Sequence, residues 1–211
     1  MNKSLFLPVL LAMIFFTSIS FAQNKNDLEF GFFAGVSLAS VVVEEESSDL
    51  KSKIALNAGF FSEYFFSEKW SLKSKIYYDQ RGFDNAQIET IFTGTGYLIE
   101  RGSYTFHNVT IPVLANFNFG NNERFYLNLG PFASYVFSVE KSVGGTESTD
   151  DFNSFDFGLE GGIGFKFSFS NKNEKSFFLE YTGQKGFLDL DNNEFGTIKN
   201  IQHSLNFGFK F

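Results

Sequence analysis

The sequence predicts an all-β chain closed into an eight-stranded antiparallel up-and-down transmembrane β-barrel, with short periplasmic turns and long extracellular loops. Three observations carry this expectation. Segment after segment alternates apolar residues with polar or small ones, the period of a strand and not of a helix. The connections between segments run long, short, long, short, long, short, long, as in barrels whose two ends face different compartments. The 211 residues include 32 Phe, 8 Tyr and 1 Trp, or 19% aromatic, more rings than one soluble interior of this size readily holds.

The N-terminus reads as a processing signal. Lys3 supplies a positive region, Leu5 to Phe16 an apolar one, and Ser20-Phe21-Ala22 a cleavage site with small residues where a signal peptidase reads. The apolar run is too short for a spanning helix. Residues 1–22 are therefore expected to be removed, leaving 23–211 as a single barrel domain.

The first strand is Leu28 to Ser40, with Glu29, Gly31, Phe33, Gly35 and Ser37 on its polar face. The loop 41–53 carries the acidic run Glu44-Glu45-Glu46-Ser47-Ser48-Asp49, a solvated face. Ile54 to Phe66 is the second strand, closed by a tight turn at 67–69. Trp70 to Arg81 is the third, with Trp70, Leu72, Ile76 and Tyr78 against Lys73, Lys75, Tyr77, Asp79 and Arg81. Residues 83–102 read as a long loop with Gly94, Gly96 and Gly102.

Ser103 to Phe119 is the fourth strand. Its apolar parity changes between Phe106 and Val109, which suggests a bulge near His107-Asn108. Pro112 lacks an N–H and sits poorly in a central ladder. A turn at 120–123 leads to the strand Arg124 to Glu140 and the loop 141–153. The sixth strand, Phe155 to Phe169, alternates most regularly: Phe155, Phe157, Leu159, Ile163, Phe165, Phe167 and Phe169 against Asp156, Gly158, Glu160, Gly162, Gly164 and Lys166. A turn at 170–175, the strand Ser176 to Phe187, an acidic loop at 188–197 and the strand Ile198 to Phe211 complete the chain.

A two-faced strand fits a lipid-facing barrel or, with its faces exchanged, a soluble lipocalin-like one. Volume decides between them. An eight-stranded bore is just filled by side chains, and the phenylalanines of eight strands would overfill it. The glycine-rich, charged face fits the bore instead. Rings then face lipid, and Phe30, Tyr64, Phe66, Trp70, Phe119, Phe125, Tyr135 and Phe137 fall near strand ends as interfacial girdles. The inward charges would be Glu29, Glu63, Asp79, Asp156, Glu160 and Glu180 with Lys73, Lys75, Arg81, Lys166 and Lys210. Buried charges need partners, so these are expected to interleave as a structural plug. Near-zero mean hydropathy fits such a chain, because alternation cancels in an average.

Composition narrows the function. No cysteine is present, so there is no disulfide, thiolate metal site or lipidated cysteine. A net charge of −7 without a basic patch argues against nucleic acid. His203 and Ser204 are adjacent and point to opposite faces of a strand, so they make a poor catalytic pair; His203 falls on the lipid side near an interface. Asp189 to Glu194 is rich in oxygens but lacks the spacing of a calcium loop. Gly158, Gly161, Gly162 and Gly164 precede no helix and so form no phosphate cradle. No cofactor, metal or catalytic residue is expected.

Four segments carry a resemblance. They are Ala22-Gln23 at the end of the signal, Val109-Thr110-Ile111-Pro112-Val113-Leu114, Leu127-Asn128-Leu129-Gly130-Pro131-Phe132, and Asp156-Phe157-Gly158 followed by Gly161-Gly162-Ile163-Gly164. In that order they resemble the Bacteroidetes-type outer-membrane β-barrel domain, the PorT-like family, over residues 28–211. Ala115-Asn116-Phe117 departs from the Lys-Tyr usual there. The resemblance implies an outer-membrane location and accommodates Pro112. It admits two roles: a structural or surface-interaction barrel, or an accessory of envelope protein secretion or assembly. Phe207, Phe209 and the terminal Phe211 look like a signal for the barrel-assembly machinery. Expected partners are outer-membrane lipid, that machinery and an unidentified envelope or extracellular protein.

Overall fold

A computed structural model describes residues 28–43, 50–92, 96–142, 145–147, 152–168, 175–190 and 198–211. The signal segment 1–22, the acidic run 44–49, residues 170–174 of the third turn and residues 191–197 of the last loop lie outside these. Eight long strands are β1 (Leu28–Val43), β2 (Lys51–Phe65), β3 (Trp70–Phe92), β4 (Tyr97–Phe119), β5 (Phe125–Lys141), β7 (Phe155–Ser168), β8 (Ser176–Gly186) and β9 (Ile198–Lys210). A short β6 (Gly145–Glu147) adds to the end of β5.

Every long strand is antiparallel to its chain neighbours. β1 pairs with β9, from Gly31↔Lys210 to Val43↔Ile198, and β4 pairs with β5. The sheet therefore closes and the long strands have no free edge over the ring, which is what a strand structure needs inside hydrocarbon.

The side-chain period now has a direction. On β9, Asn206 is 3% exposed and its neighbour Phe207 is 56% exposed. The same contrast runs around the wall: Val36, Phe60, Ile76, Ile111, Leu129, Leu159 and Leu205 lie outside, while Asn57, Lys75, Asn116, Asn128, Glu160 and Glu180 are buried. The lipocalin-like arrangement, with rings inside a charged exterior, is not the one adopted.

Three details correct or refine the sequence reading. Residues 83–102 are mostly strand and not loop. β3 and β4 run on as a hairpin, with Phe83↔Tyr104, Gln87↔Arg101 and Phe92↔Tyr97 in register. Register shifts at Phe83/Ala86 and Gln87/Glu89 scramble the parity there. Gly82 (φ 139°) and Asn85 (φ 68°) take the positive dihedrals these irregularities need.

The bulge expected near His107-Asn108 is there, as a register shift between β4 and β5, and its extra residue lies on the partner strand. His107 faces Ser138 and Asn108 faces Val136, so Phe137 of β5 is the extra residue. β4 alternates without a break, and Phe106 is buried like Asn108 and Thr110. The change of apolar parity in β4 has another cause. Phe106 joins Phe83, Ala86, Val136 and Val139 in an apolar cluster over the long-loop end of the bore, flanked by Val41, Leu50, Tyr104 and Phe152.

Not every ring faces lipid. Phe33, Phe61, Tyr77 and Phe178 form a buried cluster inside the ring, and Tyr126 and Phe132 are also buried. Glycine makes room for them. A Cβ on Gly164 would lie 2.1 Å from the Tyr126 ring, its cross-strand partner. Gly164→Val is expected to displace Tyr126 and lower stability by about 1–3 kcal/mol, the usual cost of overpacking. Urea unfolding of the refolded protein in detergent would measure it; an unchanged midpoint would mean that Tyr126 has free room.

Pro112 fits without a register break. The offset between β3 and β4 is the same at Ser74↔Val113 and Tyr77↔Thr110, and Ser74 Oγ donates to the Pro112 carbonyl at 3.4 Å.

Candidate functional site

The lumen is the concentration of chemistry in the molecule. β3 supplies most of its cations because Lys73, Lys75 and Arg81 occupy alternate positions of one inward face. Around the ring β8 stands halfway from β3, so contacts between them cross the full bore.

Several layers stack from the short-turn end. At the rim Lys210 Nζ meets Glu29 Oε1 at 2.7 Å, between neighbouring strands. Above it, Glu63 is held by neutral donors, with Ser71 Oγ at 2.5 Å and Asn116 Nδ2 at 2.6 Å from its Oε1. Lys166 donates to Asn118 Oδ1 at 2.7 Å and lies over the Phe65 and Tyr126 rings. Both groups thus use amides, hydroxyls and rings where the sequence suggested carboxylate–ammonium pairing.

The middle layer spans the bore. Lys73 Nζ reaches Glu180 Oε2 at 3.0 Å, and Lys75 Nζ bridges Glu160 Oε1 at 2.9 Å and Glu180 Oε1 at 2.5 Å. Asn128 donates to Glu180 Oε2, while Tyr77 and Gln184 donate to Glu160 Oε2. All the oxygens of these two carboxylates are engaged. Rings line the cations: Lys73 Nζ sits 4.7–4.9 Å from the centroids of Phe61, Tyr126 and Phe178, and Lys75 Nζ 5.5 Å from Phe33. Such contacts strengthen when water is excluded.

The upper layer centres on Arg81. Its Nε donates to Asp79 Oδ2 at 2.7 Å, Nη1 to Asp156 Oδ2 at 3.2 Å, and Nη2 to Thr110 Oγ1 and Gln184 Oε1. The guanidinium carbon lies 5.2 Å from the Phe132 centroid. The apolar cluster around Phe106 closes the bore above.

The inward set therefore meets in the lumen, in three ion-paired groups and one neutral-donor layer. Sequence reasoning missed the polar clamps Asn116, Asn128, Gln184 and Thr110 and the inward rings Phe61, Tyr126, Phe132 and Phe178. Phe61 shares a strand face with Glu63, and Phe178 and Gln184 share one with Glu180; β4 and β5 carry no lumen charge, so Thr110, Asn116, Tyr126, Asn128 and Phe132 were marked only by lying opposite the apolar series of their strands. Among the described residues no group of three or more His, Cys, Asp or Glu is placed to hold a metal.

The histidines lie on the outer wall. Tyr181 Oη and His203 Nδ1 are 2.9 Å apart, and Tyr78 Oη and His107 Nδ1 are 2.6 Å apart. Ser204 instead turns inward to Ser37 Oγ at 2.8 Å. His203 and Ser204 thus work on opposite sides of the sheet.

Several solved structures are similar to this chain. Neisserial surface protein A is similar at 14% identity, over 86% of this chain and 97% of that one, with a TM-score of 0.51. The attachment invasion locus protein Ail of Yersinia pestis, solved with a heparin analogue, is 17% identical over 88% and 99% (TM-score 0.46). OprG of Pseudomonas aeruginosa is 16% identical over 88% and 95% (TM-score 0.43). Among curated proteins no sequence matches. Residues 21–192 match the family model for the outer membrane protein beta-barrel domain. With eight strands closed into a ring, rings outward and charges inward, the chain belongs to the outer membrane protein beta-barrel domain family and resides in the outer membrane.

Proposed function

We propose that this is a non-enzymatic surface barrel whose wall and lumen are scaffolding and whose long-loop end engages a partner outside the cell. The observation that carries the reading is the Lys73–Lys75–Glu160–Glu180 layer, which joins opposite sides of the bore through buried contacts of 2.5–3.0 Å. A bore crossed by paired charges and roofed by Phe83, Phe106 and Val139 suits a rigid post better than a conduit. The β3–β4 hairpin supports the rest, since its pairs from Ala86↔Gly102 to Phe92↔Tyr97 stand beyond the end of β5 pairing at Tyr104↔Lys141. Residues 1–22 serve export and are removed, and the assembly machinery reads Phe207, Phe209 and Phe211; Phe211 N already donates to Phe30 O at 2.9 Å.

Two measurements test this. In planar bilayers the refolded protein is expected to give no stepwise conductance; reproducible steps would overturn the scaffold role. In cells lacking the native copy, a variant with 84–103 cut to a two-residue turn should fail to restore the lost phenotype. Exchanging 67–69, 120–123 or 170–175 should leave restoration intact. The opposite pattern would favour the PorT-like secretion accessory.

A further inference from the structure

The upper lumen layer is not balanced. Asp79 and Asp156 are 0% and 3% exposed, and Arg81, itself buried, is the cation between them. Asp79 is satisfied, with Oδ2 taking Arg81 Nε and Oδ1 taking Thr110 Oγ1. Asp156 is not. Its Oδ2 accepts from Arg81 Nη1 at 3.2 Å and Asn200 Nδ2 at 3.3 Å, but its buried Oδ1 has no partner. The buried Oδ1 of Asn200 beside it has none either.

Several other cations of this end are engaged elsewhere or face away. Lys75 serves Glu160 and Glu180. Lys53, nearer the loops on β2, gives its Nζ to Ser103 and Thr105. Lys185 is exposed on the outer wall, and Lys199 precedes Asn200 and so takes the opposite face. The connecting segments 44–49, 93–95, 143–144, 148–151 and 191–197 contain no Lys or Arg. Gly186 faces Asp156 without a side chain; a Cβ there would come within 2.4 Å of Asp156 Oδ2. A buried carboxylate short of a partner is costly, and the residue whose amide touches it, Asn200, carries a second buried oxygen without one.

We propose that the Asp156–Asn200 corner of the lumen binds a singly charged metal cation. Asp156 Oδ1 and Asn200 Oδ1 would ligate it, and it would balance the surplus charge of the Asp79–Arg81–Asp156 group. The residual charge of one selects the class. A calcium site needs six to eight oxygens and usually several carboxylates, and magnesium a near-ideal octahedron. The site would tie β7 to β9 across β8 and stiffen the barrel beneath its apolar roof.

The test uses the refolded full barrel in detergent, with sodium chloride exchanged for tetramethylammonium chloride at constant ionic strength. The wild-type thermal midpoint is expected to rise with sodium and to saturate, and Asp156→Asn to abolish that rise. Asn200→Ala should shift saturation to higher sodium. Equal responses in wild type and Asp156→Asn would overturn the proposal, as would a wild type that does not distinguish sodium from tetramethylammonium. Should Asp156→Asn not fold, crystals of the wild type soaked in thallium(I) decide. An anomalous peak at ligand distance from Asp156 Oδ1 is expected, and its absence would sink the site.

Discussion

Lys75→Met is expected to lower the unfolding free energy by about 3–5 kcal/mol, the range for removing one partner of a buried ion pair. The reason is the bridge. Lys75 is the ammonium shared by Glu160 and Glu180, and among the described residues the lumen cation left on Glu180 after its removal would be Lys73 at 3.0 Å. Glu160 would keep the Tyr77 hydroxyl and the Gln184 amide but no cation. Methionine roughly fills the volume of the lysine stem, so the loss reports charge and not a cavity. Adding Glu160→Gln should recover most of it, because the layer is then neutral again. Urea unfolding in phospholipid vesicles, followed by the fluorescence of Trp70, measures both. A loss below about 1 kcal/mol for Lys75→Met, the range of an exposed pair, would mean that water reaches the layer.

This layer shows where sequence reading succeeds and where it stops. A strand residue changes face with every step, so the parity of Lys73 and Lys75 placed both inward together with Tyr77. Which carboxylate each would meet was not legible. Lys75 and Glu180 are more than a hundred positions apart, on strands half a circumference from each other, and their heights depend on the stagger of the closed ring. Parity also fails wherever one residue is inserted. Phe137 flips the end of β5, and the shifts at Ser52/Asn57 and Phe83/Ala86 flip the ends of β2 and β3. The hairpin above Gly82 therefore looked like a loop, although its two halves pair. The inward rings were legible only as exceptions. Phe33 and Phe61 share faces with glycines and acids, and their role became visible once Lys73 and Lys75 were seen packed on them.

Leu205→Arg is expected to cost about 2–4 kcal/mol in a phospholipid bilayer, the range for arginine on the lipid face at the midplane. The depth follows from β9. A tilted strand crosses the hydrocarbon in roughly 9–11 residues, and the outward series Phe211, Phe209, Phe207, Leu205, His203, Ile201 covers that span. Leu205 faces Val36 on one side and Tyr181 on the other, near its centre. Arginine at Phe211 or Ile201 should therefore cost under about 1 kcal/mol, since the guanidinium there reaches the headgroups. The cost should form a dome along the strand, read as unfolding free energies in vesicles. Detergent micelles should flatten it, because a micelle deforms around the charge. The arginine series also separates orientation from packing. Were the lipid on the other face, arginine at Asn206 would carry the midplane cost and Leu205→Arg would be mild; a flat profile along the outward series would remove the lipid from this wall altogether.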